Sequence, residues 1–131
     1  MSIIRITKEF NFEMAHALVG HNGPCKNIHG HSYKFNVTVK GKVKNGTEHS
    51  DEGMVVDFTI IKNIVKDLIV DQYDHSLVLW DKMNIDKNQL SFMNKLILVP
   101  FNPTCENLLM EIVEVVAAKL PKEGAISFSS A

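Results

Sequence analysis

HGHSYKFNVTVK, residues 29–40, is the stretch that decides the fold. Its odd positions are imidazole, aromatic or apolar and its even positions are polar or glycine, which is the period of two expected of a β-strand with one buried face. IRITKEFNFEMAH, residues 4–16, alternates in the same way with mostly apolar even positions. Residues 17–28 between them contain Gly20, Gly23 and Pro24 and no periodic pattern. The sequence therefore predicts two neighbouring antiparallel strands joined by a long surface loop.

Two helices are predicted further along the chain. Asp57 can cap the first, whose apolar residues recur at three- and four-residue steps: Phe58, Ile61, Ile64, Val65, Leu68 and Ile69. Thr104, preceded by Pro103, can start the second, whose apolar face comprises Leu108, Leu109, Ile112, Val113, Val116 and Leu120.

The remaining segments complete the predicted layout. Residues 71–80 leave the first helix, residues 81–94 are polar and predict an exposed excursion, and residues 96–99 are too short to assign. Residues 125–131 begin a last strand. The order predicts one α+β domain over residues 1–131, in which two helices cover a small antiparallel sheet. Its exposed sheet edges favour pairing between subunits.

Composition and charge exclude several classes of protein. A chain of 131 residues, 45% of them hydrophobic, can bury one core. Its 14 basic and 15 acidic residues give a net charge of −1, which provides no electrostatic surface for nucleic acid or an anionic membrane. No apolar run reaches the roughly 18 residues that span a bilayer, and the N-terminus lacks a secretory segment, so we expect a cytoplasmic protein. Cys25 and Cys105 are therefore expected to remain reduced thiols.

Three histidines are predicted to converge at one end of the strand pair. His29 and His31 are two residues apart and project from the same strand face. His16 ends the apolar face of the preceding strand, which lies beside the start of the second strand in an antiparallel pair. Three neutral imidazoles suit Zn²⁺ and leave a fourth position for water or substrate. The alternative is that they are core histidines satisfied by hydrogen bonds, or a chance cluster in a chain with six.

Cys25 permits two interpretations. As a fourth ligand it would close a structural zinc site, although such sites usually carry two or more thiolates. A free thiol has a pKa of about 8.5 that a nearby cation lowers, so a Cys25 beside the metal could instead accept a proton or act as a nucleophile. Its place in a loop with Gly23 and Pro24 favours the second interpretation and leaves the first open.

Four further residues can carry chemistry or serve structure alone. Asp74 and His75 supply the carboxylate and imidazole of an oriented general base, or form a polar pair at a helix end. Thr104 can cap the second helix, and Glu106 in its first turn can interact with the positive end of the helix dipole. The other candidates are expected to be structural or solvent-exposed: Cys105, His21 and His49.

Taken in order, these motifs resemble the 6-pyruvoyltetrahydropterin synthase and 6-carboxytetrahydropterin synthase family. The matching segments run through nearly the whole chain: FEMAH (12–16), CKNIHGHSY (25–33), GMVVDF (53–58), DH (74–75) and PTCEN (103–107). The resemblance implies the tunnelling fold (T-fold), whose subunits join their sheets into a barrel. It also implies a homo-oligomer, a trimer or hexamer, with active sites at subunit interfaces.

The resemblance further implies a reaction and a role for each matched residue. The substrate would be 7,8-dihydroneopterin triphosphate, whose side chain is acidified by zinc and deprotonated by a thiolate as triphosphate leaves. The implied roles are zinc binding for His16, His29 and His31, proton abstraction for Cys25, its relay for Asp74 and His75, and contact with the pterin for Thr104 and Glu106.

The spacing of Cys25 and His29, with three residues between them, resembles the bacterial queuosine-pathway 6-carboxytetrahydropterin synthases, which also cleave the side chain and release acetaldehyde. The alternatives are a 6-pyruvoyltetrahydropterin synthase, which eliminates triphosphate without that cleavage, and a non-catalytic zinc- or pterin-binding homologue. The chain departs from the family pattern in two places. It ends before the family's pterin-anchoring glutamate, which the last strand would carry. Residues 125–131 resemble the opening of that strand, which favours a truncated form with an incomplete C-terminal hairpin over a protein that lacks the anchor. Residues 81–99 form an insertion to which the resemblance assigns no function.

Overall fold

Two long strands form the centre of the molecule. The computed structural model describes residues 2–20, 27–46, 48–120 and 124–130, with Lys87 and residues 124–130 described by their backbone only. Strands β1 (Ile4–His16) and β2 (His29–Gly41) pair in antiparallel register along their whole length. On their inner face Phe10 stacks on Phe35 and Phe12 on Tyr33, with ring centroids 5.4 and 5.3 Å apart. The predicted pair of strands is confirmed.

The first helical segment begins at Asp57, whose side chain accepts a hydrogen bond from the backbone N–H of Thr59 at 2.8 Å. It consists of α1 (Phe58–Val65), a π-helical turn (Lys66–Val70) and α2 (Asp71–Tyr73). The residues that it buries recur at every fourth position: Ile61, Val65, Ile69 and Tyr73.

The π-helical turn explains this unusual spacing. In a regular α-helix, twelve residues turn the chain about 120° away from its starting face, so Tyr73 would leave the core face that Ile61 occupies. The wider π turn accommodates about one additional residue and returns the last positions to that face. The predicted helix is confirmed, and the π turn sets the direction in which the chain enters the Asp74–His75 pair.

Three short strands complete a five-stranded sheet within the described residues. They are β3 (Ser76–Trp80), β4 (Leu96–Val99) and β5 (Gly124–Ser130), and the sheet order is β4-β3-β1-β2-β5. β5 is antiparallel to β2, whereas β3 is parallel to β1 and β4 is parallel to β3. The α+β class is confirmed, but the sheet is mixed rather than purely antiparallel. The sequence does not predict β3 because it is buried on both faces and lacks the alternation of a half-exposed strand.

The main core lies between the sheet and the helices. α3 (Cys105–Ala117) begins at Thr104, whose hydroxyl accepts a hydrogen bond from the backbone N–H of Asn107 at 3.1 Å. Its buried residues are Leu108, Ile112 and Val116. None of the helices in the described ranges has the length and apolar character that a bilayer crossing requires.

The expectation that residues 81–94 form a wholly exposed excursion is wrong. Four of their apolar side chains pack against a second cluster that comprises Ala17, Leu77 and Leu79: Met83, Ile85, Leu90 and Met93. Val78 faces the main core, so Leu77 and Leu79 on either side of it face the opposite way. The insertion therefore covers the outer face of β3.

Candidate functional site

Three imidazoles meet at the open end of the β1–β2 pair. The strand register places His16 directly opposite His29, and His31 opposite Met14. Because side chains alternate between faces, all three rings project from the inner face. Their centroids are 4.6 Å apart for His16 and His29, 5.1 Å for His16 and His31, and 4.8 Å for His29 and His31. The structure thus brings together the three histidines that the sequence pattern predicts to converge.

Backbone carbonyl groups fix which nitrogen of two of these rings carries hydrogen. Nδ1 of His16 lies 2.7 Å from the carbonyl oxygen of Pro103, and Nδ1 of His29 lies 2.7 Å from that of Asn27. A carbonyl can only accept, so both Nδ1 atoms must be the protonated donors. In the neutral rings each Nε2 then carries a lone pair. Histidine ligands of metal ions are oriented by the same kind of contact.

The two lone pairs face each other. Nε2 of His16 lies 3.0 Å from Nε2 of His29, so either a proton or a cation must lie between them. Burial lowers the pKa of His16, which its contact with Pro103 offsets in part, and nearby His29 and His31 lower it further. A shared proton is therefore disfavoured on this buried ring. Nitrogen ligands about 2.0–2.1 Å from a tetrahedral ion lie about 3.3 Å apart, close to the observed separation.

The third ring completes a donor set that fits a divalent metal ion. The ligand atoms of His16, His29 and His31 all lie within 4.8 Å of one another. Burial and the neighbouring His29 lower the pKa of His31, which keeps this ring in the neutral form that a metal requires. Imidazole ligands suit zinc, copper, iron and nickel. Three of them leave a tetrahedral ion one position for a non-protein ligand.

The loop before α3 supports the imidazoles from behind. The side-chain amide of Asn102 accepts from the backbone N–H of Val19 at 3.2 Å and donates to the carbonyl of Val19 at 3.4 Å. The next residue, Pro103, orients His16, and the one after it, Thr104, caps α3. The hydroxyl of the fully buried Tyr33 lies 3.4 Å from Nδ1 of His16. Sequence reasoning missed Asn102 and the carbonyl of Pro103, and no side-chain pattern could reveal the second.

Cys25 and His21 lie outside the described residues. The chain is described up to Gly20 and again from Asn27. Val19, just before residues 21–26, is hydrogen-bonded to the side chain of Asn102. Just after them, the carbonyl of Asn27 accepts a hydrogen bond from His29.

Asp74 and His75 form a tightly held turn between α2 and β3. One carboxylate oxygen of Asp74 accepts from the backbone N–H of Glu13 at 2.9 Å, and the other lies 3.0 Å from Nδ1 of His75. The backbone N–H of His75 donates to the carbonyl of Glu13 at 2.5 Å. His75 has a φ of 60°, in the left-handed region that costs a non-glycine residue about 1–3 kcal/mol. The surrounding contacts therefore hold the backbone of His75 in a strained conformation. Its side chain is 77% exposed.

Electrostatics keep the carboxyl of this pair ionised. Partial burial raises the pKa of Asp74, but the hydrogen bond from Glu13, the contact with His75 and the charge of Lys95 together bring it below its usual value. An ionised carboxylate 3.0 Å from Nδ1 of His75 can orient the imidazole ring by accepting its N–H.

His75 opens into a cavity of about 500 Å³. Glu13 and Ser32, which line it, lie on the outer face of β1 and β2 and hydrogen-bond to each other at 2.6 Å. The imidazole cluster projects from the inner face of the same strands, and one of its members, His31, also lines this cavity. The complete lining is Glu13, Met14, Ala15, Gly30, His31, Ser32, His75, Ser76 and Met93.

The remaining candidates lie at the start of α3. Thr104 is the predicted helix cap, and Glu106 is exposed in the first turn as predicted. Cys105 is half-buried, and burial followed by the charge of Glu106 raises the pKa of its thiol. His49 is exposed, as its polar loop predicts.

Fold and site together define the class of this protein: an α+β sheet domain whose central strand pair carries three histidines arranged to hold a metal ion. Comparison with known proteins identifies the family to which this fold belongs. The chain is 37% identical to the 6-carboxy-5,6,7,8-tetrahydropterin synthase of Haemophilus influenzae over 98% of this chain and 89% of the relative. It is 33% identical to the enzyme of the same name from Rickettsia bellii, over 90% and 83% of the two chains.

A solved structure and a family model make the assignment. The fold superposes on 6-pyruvoyl tetrahydropterin synthase from Caenorhabditis elegans with a TM-score of 0.65, covering 100% of this chain and 97% of that one at 20% identity. This likeness confirms the T-fold. The model of the 6-pyruvoyl tetrahydropterin synthase family matches residues 5–130. The chain belongs to this family, whose members are lyases.

Proposed function

We propose that this protein is a zinc-dependent lyase that converts 7,8-dihydroneopterin triphosphate to 6-carboxy-5,6,7,8-tetrahydropterin, with loss of triphosphate and acetaldehyde, in the queuosine pathway. The observation that carries the proposal is the pair of Nε2 atoms of His16 and His29, 3.0 Å apart, with each Nδ1 committed to a backbone carbonyl. The names of the two relatives described above, which span nearly the whole chain, support the 6-carboxy product.

The metal would be held by Nε2 of His16 and His29 and by a ring nitrogen of His31. Zinc bound there supplies a Lewis acid that acidifies the C–H and O–H groups of the substrate side chain. The carbonyls of Pro103 and Asn27 keep two of the rings neutral and correctly oriented. These protein groups are fixed before substrate arrives, so little reorganisation is required during the reaction.

Proton transfer is assigned to three residues. Sγ of Cys25 accepts the proton from the substrate side chain. Asp74 holds the imidazole of His75 through Nδ1, which leaves Nε2 of His75 to take up and return a proton. Thr104 and Glu106 contact the pterin ring; for Thr104 this role is additional to its hydrogen bond to Asn107.

The proposal includes a homo-oligomer, a trimer or hexamer, with active sites at subunit interfaces. The exposure of His75 supports it, because its side chain is 77% exposed beside a cavity that His31 also lines, and a neighbouring subunit can close that cavity. We propose a cytoplasmic location for the assembly.

Product analysis tests the proposal. Metal-loaded protein is incubated with 7,8-dihydroneopterin triphosphate, and the products are identified by mass spectrometry. We expect triphosphate, acetaldehyde and 6-carboxytetrahydropterin. A 6-pyruvoyl product would reject the side-chain cleavage, and the absence of triphosphate would reject the lyase.

Cobalt substitution tests the role of Cys25 separately. Three imidazoles and water around Co²⁺ should give no thiolate-to-metal charge-transfer band. Such a band in the wild type, lost in Cys25→Ser, would make Cys25 a ligand and overturn its assignment as a proton acceptor.

A further inference from the structure

One residue of the insertion, Lys95, forms hydrogen bonds to the chain on both sides of the Asp74–His75 turn. Nζ of Lys95 donates hydrogen bonds to the carbonyl oxygens of Asp71 at 2.7 Å and Asp74 at 2.6 Å. The carbonyl oxygen of Lys95 accepts from the backbone N–H of Leu77 at 3.0 Å. The side chain of Lys95 thus binds the chain before His75, and its main chain binds the chain after it.

This arrangement surrounds a backbone that needs support. His75 has a φ of 60°, and an isolated chain would leave that conformation. Glu13 holds the turn from the side of β1 through hydrogen bonds to the carboxylate of Asp74 and the amide of His75. Lys95 holds it from the side of β4. The turn is therefore held from two sides. Glu13 on β1 belongs to the FEMAH motif (residues 12–16), which suggested the function, whereas Lys95 beside β4 belongs to the insertion.

The same insertion also reaches the cavity into which His75 opens. Met93, two residues before Lys95, lines that cavity together with His75 and Glu13. Met93 packs against the second apolar cluster beneath β3, which fixes the path of the chain towards Lys95. A change in the packing of the insertion is therefore expected to move Lys95 and, with it, the Asp74–His75 turn.

We propose that Lys95 is a positioning residue that holds Asp74 and His75 in the geometry required for proton transfer. This inference rests on the proposed function, since it assigns to the insertion a task in that reaction. Lys95 touches neither the metal ligands nor the imidazole of His75 among the contacts of the described residues. It acts on the pair through the backbone carbonyls of the turn and through its charge, which helps to keep the carboxyl of Asp74 ionised.

A purely structural alternative exists. Lysine side chains commonly bind the last carbonyls of a helix and interact favourably with the negative end of its dipole. Asp71 and Asp74 are the start and the C-cap of α2, so Lys95 could serve only as a cap. Lys119, exposed just beyond the end of α3, provides a matched control for a lysine at a helix C-terminus.

The experiment compares full-length Lys95→Met, Lys95→Arg and Lys119→Met with the wild type. In Lys95→Met we expect kcat to fall by roughly 10- to 100-fold with KM within about twofold, because misplacing a proton-transfer group affects the chemical step. Arginine can donate to two carbonyls and should restore kcat to within about threefold of the wild type. Lys119→Met should behave as the wild type. Unchanged kcat in Lys95→Met, or an equal loss in Lys119→Met, would overturn the proposal.

Amide hydrogen exchange provides a readout that needs no substrate. The amide of His75 should exchange at least about tenfold faster in Lys95→Met, while amides at the centre of β1 and β2 are unaffected. If the wild type has no lyase activity, the proposed function fails, and with it the catalytic task of Lys95, while exchange still decides whether Lys95 holds the turn. Faster exchange with an unchanged kcat would reduce Lys95 to a helix cap.

Should Lys95→Met not fold, Lys95→Gln provides a second variant, because glutamine can reach one carbonyl only. It should give a kcat and an exchange rate of the His75 amide between those expected for Lys95→Met and those of the wild type. Wild-type values for both would contradict the proposal.

Discussion

Nε2 of His16 and Nε2 of His29 lie 3.0 Å apart across the end of the strand pair, and in their neutral forms neither ring has a hydrogen to place between them. Both Nδ1 atoms are committed to backbone carbonyls, those of Pro103 and Asn27. Without a metal ion this arrangement opposes two lone pairs in a partly buried site. The backbone therefore prepares the rings to bind a cation rather than each other.

Replacing Asp74 with asparagine should impair turnover and preserve the fold. Asparagine can still accept from the backbone N–H of Glu13, but it lacks the negative charge that lies 3.0 Å from Nδ1 of His75. We expect kcat for triphosphate release to fall by about 100-fold with little change in KM. Asp67→Asn, on the exposed side of the π-helical turn, is the control. Wild-type kcat in Asp74→Asn would remove the pair from the mechanism.

The same carboxyl should contribute to stability against acid. The pKa of Asp74 is lower in the folded protein than its usual value of 3.8. The unfolded chain then binds more protons as the pH falls, so the contribution is fully present above about pH 4 and is lost as the pH drops through the folded-state pKa. Urea unfolding of the metal-free protein between pH 5 and about pH 2 should show a shallower loss of stability in Asp74→Asn than in the wild type. Equal slopes would contradict the assigned pKa shift.

Thr104 should act as a helix cap whatever else it contacts. Thr104→Ala removes the acceptor for the N–H of Asn107 and should lower the free energy of unfolding by about 1 kcal/mol. Thr104→Ser keeps the hydroxyl and should retain most of that stability. A role in pterin binding predicts in addition that KM rises in Thr104→Ala by more than in Thr104→Ser. Equal stability of the two variants in urea would contradict the cap.

Leu79 should prove essential to the packing of the insertion. Leu79 on β3 is 1% exposed and belongs to the cluster against which residues of the range 83–96 pack. Leu79→Ala should therefore lower the free energy of unfolding by about 2–5 kcal/mol. Leu98 on β4 is 38% exposed, and its replacement by alanine should cost much less. Thermal or urea unfolding measures both. Similar losses for the two variants would mean that the insertion does not pack on β3.

The elements with one buried face could be predicted from the sequence. β1 and β2 each place apolar side chains on one face, and this periodicity also placed His16, His29 and His31 together. Asp57 and Thr104 begin the helices that their side chains cap. These features depend on local chemistry, which a single sequence records.

Other features depend on tertiary contacts that leave no local pattern. β3 is buried on both faces by the main core and the insertion, so its residues do not alternate. The π-helical turn is visible only in the four-residue spacing of Ile61, Val65, Ile69 and Tyr73, which an α-helix does not maintain. The carbonyl of Pro103 binds His16, and Lys95 binds the carbonyls of Asp71 and Asp74. These hydrogen bonds involve main-chain carbonyl groups, so the identity of the side chains there does not predict them.

The dependence of turnover on bound metal tests the central claim most directly. Protein stripped with a chelator is titrated with Zn²⁺, and bound zinc and triphosphate release are measured on the same samples. Turnover should rise in proportion to zinc and reach its plateau at one ion per subunit, while His29→Ala should show neither tight binding nor activity. Full turnover in stripped protein, or in His29→Ala without bound metal, would contradict the claim that His16, His29 and His31 hold the ion on which the reaction depends.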